Sequence, residues 1–160
     1  MSSHNEELAR PVGLKGAFVK TVPLRAVGKA RPRVTKRGIT FMPKEYVNWK
    51  KLFATLVGPL PDWALANGEN KVVLRVTARF RIPKAASKAD KQRLPGMFNS
   101  AGSDVDNILG AVMDALWQDD KHIVDGGCCK LYAHDDSLSI YLSRIGKDDT
   151  PVDLPGNTGA

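Results

Sequence analysis

The stretch from Val72 to Ile82 constrains the fold of this chain more than any other. Apolar residues alternate there with arginines and a threonine, in the order V-V-L-R-V-T-A-R-F-R-I. Because the side chains of a β-strand point alternately to the two faces of a sheet, this period of two predicts a strand with one buried and one polar face. The chain must therefore contain a sheet, and its polar face would carry a ladder of arginines at Arg75, Arg79 and Arg81.

Two other segments have the period of an amphipathic helix. Between Pro43 and Gly58, aromatic and aliphatic residues recur at every third or fourth position, and the pair Gly58-Pro59 ends the pattern. From Val105 to Trp117, apolar residues recur at i, i+3, i+4, i+7 and i+11. A third, shorter helical turn is expected at 85–93, inside the long basic loop 83–103.

The remaining apolar segments predict strands. Ala17–Val27 and Val34–Phe41 are expected to be two strands joined by a basic loop around Arg31-Pro32-Arg33. Segments 123–124 and 128–133, a polar turn at 134–137 and a strand at 138–145 predict a hairpin. The expected fold is α+β, a mixed β-sheet with two main helices packed on one face.

The length of 160 residues suits one domain. We expect that domain at residues 14–145, with a flexible polar N-terminus at 1–13 and a flexible Gly-, Pro- and Asp-rich tail at 146–160. No apolar run approaches the roughly 20 residues that span a bilayer, and residues 1–10 lack a hydrophobic signal core. We therefore expect a cytoplasmic protein without a membrane partner, and the adjacent Cys128 and Cys129 are expected to be reduced strand residues.

Charge favours a polyanionic partner. Lysine and arginine number 24 against 17 acidic residues, a net charge of +7, which is typical of proteins that bind nucleic acid or an anionic membrane. Against this background, two pairs of aspartates bracket the second helix: Asp104 and Asp106 open it, and Asp119 and Asp120 follow it. Carboxylates gathered on a basic protein are typical of a site for a hard cation such as Mg²⁺.

A structural explanation competes for the first pair. Asp104 could cap the helix, and Asp106 would lie in the first turn, where the helix dipole favours negative charge. A shared ion further requires that the chain fold back after the helix, because a straight helix puts the two pairs about 18 to 20 Å apart. If Asp120 lay more than about 10 Å from Asp104 and Asp106, the three could not share one ion, and a nuclease would no longer be expected.

The run SDVDNILGAVMDALWQDDKHIVDGGCCK, residues 103–130, resembles the signature of the RusA family of Holliday junction resolvases. That signature reads roughly D-x-D-N-L-x-K-x-x-x-D-A-L, a variable insert, D-D-x-x-V/I and a later lysine. The segments GKARPR, ITFMPKEYVNWKK and RFRIPKAASKADKQR resemble the corresponding parts of phage-borne members, so that the resemblance covers about residues 17–145.

Position by position, the resemblance implies metal-binding and catalytic roles for three aspartates and supporting roles for four other residues. The three are Asp104, Asp106 and Asp120, and the supporting residues are Asp119, Asp114, Asn107 and Lys130. It also implies Mg²⁺ as cofactor, with Mn²⁺ as an alternative ion, and a homodimer that acts on four-way DNA junctions.

This sequence departs from the signature in three places. Gly110 stands where the family has a lysine, with Lys121 or Lys130 as expected substitutes; the insert is shortened to Trp117-Gln118; and Ser103 replaces a proline.

The expected function is that of a Mg²⁺-dependent, structure-specific endodeoxyribonuclease, a crossover junction resolvase. It would resolve four-way junctions by paired symmetric nicks, in DNA recombination and repair. Phosphate contacts are expected from nine basic residues, namely Lys29, Arg31, Arg33, Arg75, Arg79, Arg81, Lys84, Lys88 and Lys91. The main alternative is a junction-binding or nucleic-acid-binding protein with weak or lost cleavage, because of Gly110; a basic RNA-binding module is a third.

Overall fold

A computed structural model describes residues 15–66 and 70–145. The two segments that we expect to be flexible, 1–13 and 146–160, lie outside the described residues. In chain order the elements are β1 (Lys15–Val22), β2 (Arg33–Val34), β3 (Thr40–Phe41), α1 (Lys44–Val57), a 3-10 turn (Asp62–Ala64), β4 (Lys71–Arg81), α2 (Lys88–Arg93), α3 (Val105–Leu116), β5 (Ile123–Ala133) and β6 (Ser137–Ile145).

The main sheet has four strands in the order β1, β6, β4, β5. β6 runs antiparallel to both β1 and β4, whereas β4 and β5 are parallel. The sheet is thus mixed, and the α+β prediction is confirmed. The parallel pair is joined through α2 and α3, which carry the chain from the end of β4 back to the start of β5.

The predicted alternation of the central strand is confirmed in β4. Val72, Leu74, Val76, Ala78 and Phe80 are buried in the core, and the arginines lie between them on the opposite face. Both main helices contribute to this same core, so they cover one face of the sheet as expected. The helical core residues are Tyr46, Trp49, Phe53 and Val57 from α1 and Ile108, Ala111 and Val112 from α3. Apolar burial of this extent is the main stabilising term of the fold.

The predicted pairing of the last two strands is wrong. β5 and β6 follow each other in the chain, but β4 lies between them and is hydrogen-bonded to both. The connection at 134–136 therefore crosses the end of β4, where the Asp136 carboxylate accepts a hydrogen bond from the backbone N–H of Arg81 over 2.8 Å. In the observed sheet, β5 forms its hydrogen bonds with β4 and not with β6.

The predicted strands near the N-terminus are also corrected. The first strand ends at Val22, because Pro23 has no N–H to donate to the ladder. The expected strand 34–41 is instead a small hairpin of β2 and β3 outside the main sheet, with exposed side chains. Its turn needs Gly38 at φ 79°, a value that other residues rarely adopt. Few apolar residues in this segment could anchor it to the core.

Helix α1 begins one residue after its predicted start, with Pro43 as the capping residue, and ends before Gly58 as predicted. α2 is capped by the Ser87 hydroxyl, which accepts from the N–H of Asp90 over 3.1 Å. Across residues 15–66 and 70–145, no helix combines the length and the apolar content that crossing a membrane would need.

Candidate active site

The first aspartate pair stands at the start of α3, on the protein surface. Asp104 occupies the capping position with an extended backbone, and Asp106 lies in the first turn; both side chains are exposed. Among the described residues, the Asp104 carboxylate makes no capping hydrogen bond to the helix. The structural explanation by capping therefore does not account for Asp104, and both carboxylates lie at the positive end of the helix dipole.

Lys130 anchors the loop that leads into Asp104. Its side chain is on the face of β5 turned towards the helices, level with Ala78 of β4. The Nζ group donates to the carbonyls of Ala101 and Ser103, each over 3.0 Å. The carbonyl of Lys130 also accepts from the N–H of Asn99 over 3.0 Å. The lysine that the resemblance singled out thus fixes the backbone immediately before the first aspartate.

The second aspartate pair lies at the other end of α3. Asp119 accepts a hydrogen bond from the N–H of Lys121 over 3.2 Å, and the carbonyl of Asp120 accepts from the N–H of Ile123, where β5 begins. β5 then runs back along α3. The strand reaches the loop before Asp104 only at Lys130, which is seven positions after Ile123. About 20 Å of strand therefore separates the start of β5 from that loop.

The described chain therefore does not bring Asp120 to Asp104 and Asp106. Nor do its described residues contain any group of three or more His, Cys, Asp or Glu side chains that could hold a metal ion. The expectation that the loop and the next strand would carry Asp120 back is not met within one chain. Lys121 belongs to the same distant end of α3.

Asp114 is held in a small polar cluster between α1 and α3. One carboxylate oxygen accepts from the Tyr46 hydroxyl over 2.8 Å, and the other lies 3.2 Å from Nζ of Lys29. Burial raises the pKa of Tyr46, and the hydrogen bond to Asp114 raises it further, so the phenol stays protonated and donates. Asp114 thus connects both helices with the segment that precedes β2.

Sequence reasoning missed how close Lys29 lies to α3. A Cβ atom at Gly110 would lie 3.2 Å from Cδ of Lys29, so the lysine stem crosses the helix where the family signature has its own lysine. The expected substitutes were Lys121 and Lys130, and neither is the residue against Gly110. The available signal was the glycine itself, because a glycine inside a helix often marks a close approach of another segment.

Two arginines of the β4 ladder contact side chains of the neighbouring strands. Arg75 lies 2.9 Å from the carboxylate of Asp125, and Arg79 donates to the hydroxyl of Ser139 over 2.6 Å. Both are partly buried, and both lie on the face that points away from α3. These contacts favour a role in stabilising the sheet, and Arg75 and Arg79 lie on the side opposite to the first aspartate pair.

A basic cleft opens at the end of β4. Its volume is about 250 Å³, and it is lined by Arg81, Ile82, Lys84, Lys91 and His134. The cleft lies at the same end of the sheet as the start of α3, because α3 begins after the chain has left β4 and runs towards the opposite end. Lys88 on α2, Arg31 before β2 and Arg33 in β2 are exposed as well.

Cys128 and Cys129 are both free thiols on β5, as expected. Burial raises the pKa of the Cys128 thiol to about 12, and the neighbouring Cys129 contributes to the rise. At neutral pH Cys128 is therefore a protonated residue that packs against the core. This is not the environment of a reactive or metal-binding thiolate.

Comparison with known families identifies the chain. The family model described as endodeoxyribonuclease RusA matches residues 23–143, most of the length. The chain belongs to the RusA family. A search of curated proteins gave no significant match.

RusA proteins are endodeoxyribonucleases, Holliday junction resolvases that act in DNA recombination and generally depend on a divalent metal. The start of α3 fits such an ion by the chemistry of its donors. Mg²⁺ is usually held by one or two carboxylates, with substrate phosphate and water completing its coordination. Asp104 and Asp106 supply two carboxylates, and both are exposed. A third carboxylate from the same chain is therefore not required, and the assignment to a nuclease family stands although Asp120 is not brought to the first pair.

Proposed function

We propose that this RusA-family protein is a Mg²⁺-dependent, structure-specific endodeoxyribonuclease that resolves four-way junctions by paired symmetric nicks, in recombination and repair. The observation that carries the proposal is the pair Asp104 and Asp106, exposed at the start of α3 directly after a loop anchored by Lys130. Mn²⁺ is the alternative ion. We also propose a cytoplasmic location, because the proposed substrate is intracellular DNA.

In this proposal the chain's own residues bind and orient the DNA phosphate. Asp104 and Asp106 would hold the ion, which when bound supplies an activated water and neutralises charge on the attacked phosphate. Asn107, exposed beside Asp106, would position that phosphate through its amide. Lys130 keeps Asp104 in place, and Asp114 with Tyr46 keeps α3 and α1 in register.

The DNA would approach from the end of the sheet where α3 starts. Arg81, Lys84 and Lys91 line the basic cleft there, and Lys88 is exposed on the adjacent helix. Lys29, Arg31 and Arg33 would extend this surface from the segment before α1. Phosphate contacts of this kind recognise the shape of a junction more than its sequence. Arg75 and Arg79 would act from the opposite face and contribute less.

Symmetric cutting needs two sites related by a two-fold axis, so we propose a homodimer. A dimer also offers a role for the second aspartate pair. Since Asp120 lies at the far end of α3 from Asp104 and Asp106, we propose that the partner's Asp120, with Asp119 in support, completes each site. Val105, beside the first aspartate pair, and Val124, near the second pair, are apolar side chains that are 43% and 51% exposed, which supports a contact between these two ends of α3 in a dimer.

The first experiment incubates a labelled four-way junction with Mg²⁺ and either wild type or Asp106→Asn. We expect paired nicks from wild type, loss of cutting in the variant, and junction binding by both. Binding by both with cutting by neither would instead support a junction-binding protein with lost cleavage. Equal affinity for hairpin RNA and junction DNA would favour an RNA-binding module.

A mixing experiment tests the shared site. Asp104→Asn and Asp120→Asn are each expected to abolish cutting. In a mixed dimer, one of the two composite sites regains both aspartates, so co-refolded protein should recover part of the nicking activity. Sites contained within single chains would leave the mixture inactive, which would contradict the role of the partner's Asp120.

A further inference from the structure

One lysine reaches α3 from outside the helix. The backbone N–H of Lys29 donates to the carbonyl of Asn107 over 2.9 Å, which fixes residue 29 against the first turns of α3. The residue before it must be small, because a Cβ at Gly28 would lie 2.8 Å from Oγ of Ser103. This part of the chain is therefore held close to the exposed aspartate pair.

The side chain of Lys29 then passes over Gly110. A Cβ at that glycine would lie 3.2 Å from Cδ and 3.6 Å from Cβ of the lysine. Beyond the glycine, Nζ of Lys29 lies 3.2 Å from the Asp114 carboxylate, and the lysine side chain stays 51% exposed. Asp106, Gly110 and Asp114 follow each other at intervals of four, so they share one face of the helix. The lysine stem thus lies one helical turn from Asp106.

The stability of the helix does not explain this arrangement. A glycine in a helix interior is less favourable than an alanine. A half-exposed ion pair such as that between Lys29 and Asp114 stabilises a protein only weakly. The two effects are small and opposite in sign, so the arrangement gains little except the location of a positive charge. That charge lies on the face of α3 that carries Asp106.

We propose that Lys29 is the active-site lysine of this enzyme: Asp114 holds its ammonium group in the free protein, and the group turns back along α3 towards the phosphate when DNA binds at Asp104 and Asp106. This inference rests on the proposed nuclease function. A cation there stabilises negative charge that builds up on the phosphate as the bond to the attacking oxygen forms. Gly110 leaves room for the stem, and Tyr46 holds the second oxygen of Asp114.

The first test separates cleavage from binding. Lys29→Met keeps most of the stem and removes the charge, and Lys51→Met, on the exposed side of α1, is the matched control. Single-turnover cleavage of a four-way junction should slow by about a hundredfold in Lys29→Met, the order expected for loss of one electrostatic donor. Junction affinity should change only a few-fold, and the control should cut like wild type.

A second variant moves the lysine instead of removing it. In Lys29→Ala/Gly110→Lys, the space left by the shortened side chain accepts a lysine from the helix itself, on the same face. We expect this double variant to cut at least tenfold faster than Lys29→Ala alone, with circular dichroism confirming that both are folded.

The outcomes are distinct. A wild type that cuts no junction would overturn the proposed function, and this inference with it. A wild type that cuts, together with Lys29→Met at the same rate, would overturn only the assignment of Lys29. The same conclusion would follow if the folded double variant stayed as slow as Lys29→Ala, because a merely structural lysine is not restored by moving its charge.

Discussion

Replacing Lys130 with methionine should both destabilise the protein and weaken its metal site. The side chain donates two hydrogen bonds, to the carbonyls of Ala101 and Ser103. Methionine has a similar length and no donor. The variant therefore removes the polar anchor of the loop before Asp104 while it keeps most of the apolar contact of the stem.

The magnitude follows from those two bonds. A hydrogen bond from a charged donor contributes about 1.5 to 3 kcal/mol. The bond to Ala101 is exposed and contributes less, and both bonds hold the same loop, so their effects overlap. We expect a loss of about 2 kcal/mol in the free energy of unfolding. For a chain of this size that corresponds to a fall in Tm of about 4 to 8 °C.

Urea denaturation followed by circular dichroism measures the stability, and calorimetric titration with Mn²⁺ or Mg²⁺ measures metal affinity. Lys51→Met is the control for loss of a lysine charge. A change below about 0.5 kcal/mol in Lys130→Met, the range of ordinary surface substitutions, would refute the anchoring role. Unchanged metal affinity in a clearly destabilised variant would show that the loop does not position Asp104.

Three further predictions concern the core, the thiol and the DNA surface. Phe53→Ala, at a fully buried site, should lower the free energy of unfolding by about 3 to 5 kcal/mol in urea denaturation; a loss under 1 would contradict the described packing. Because folding raises the pKa of Cys128 from 9.0 to about 12, its contribution to stability is complete below pH 9 and declines as pH rises through this window. Cys128→Val should flatten that decline, and an unchanged slope between pH 9 and 10.5 would argue against it. Replacing Arg81, Lys84 and Lys91 by alanine should reduce the slope of log Kd for junction DNA against log salt by about 2 to 3, whereas an unaltered slope would exclude the cleft as a phosphate site.

Much of the fold could be predicted from local periodicity. β4, α1 and α3 were each expected within a residue or two of their observed bounds, because burial of one face imposes a period that a sequence displays directly. The pairing of β5 could not be predicted in this way. A short polar turn between two apolar strands looks the same whether the strands pair with each other or lie on either side of a third.

In the candidate site, too, the features that depend on local structure could be predicted, and a tertiary contact could not. The position of Asp104 and Asp106 follows from the start of a helix, and the distance to Asp120 follows from its length, so both could be expected from the sequence. The approach of Lys29 to Gly110 is a tertiary contact between segments about 80 positions apart, and no local pattern encodes it. Only the cost of a glycine in a helix pointed to it.

The order of strands in the main sheet has a consequence for synthesis of the protein. Each hydrogen-bonded pair in the described four-stranded sheet includes β5 or β6, which are synthesised after the other described strands. Until they emerge, β4 is an apolar strand whose two edges have no partner, which is the kind of segment that aggregates or is bound by chaperones. Nascent chains stalled before residue 123 should therefore be protease-sensitive along β4, and protection should appear late and all at once.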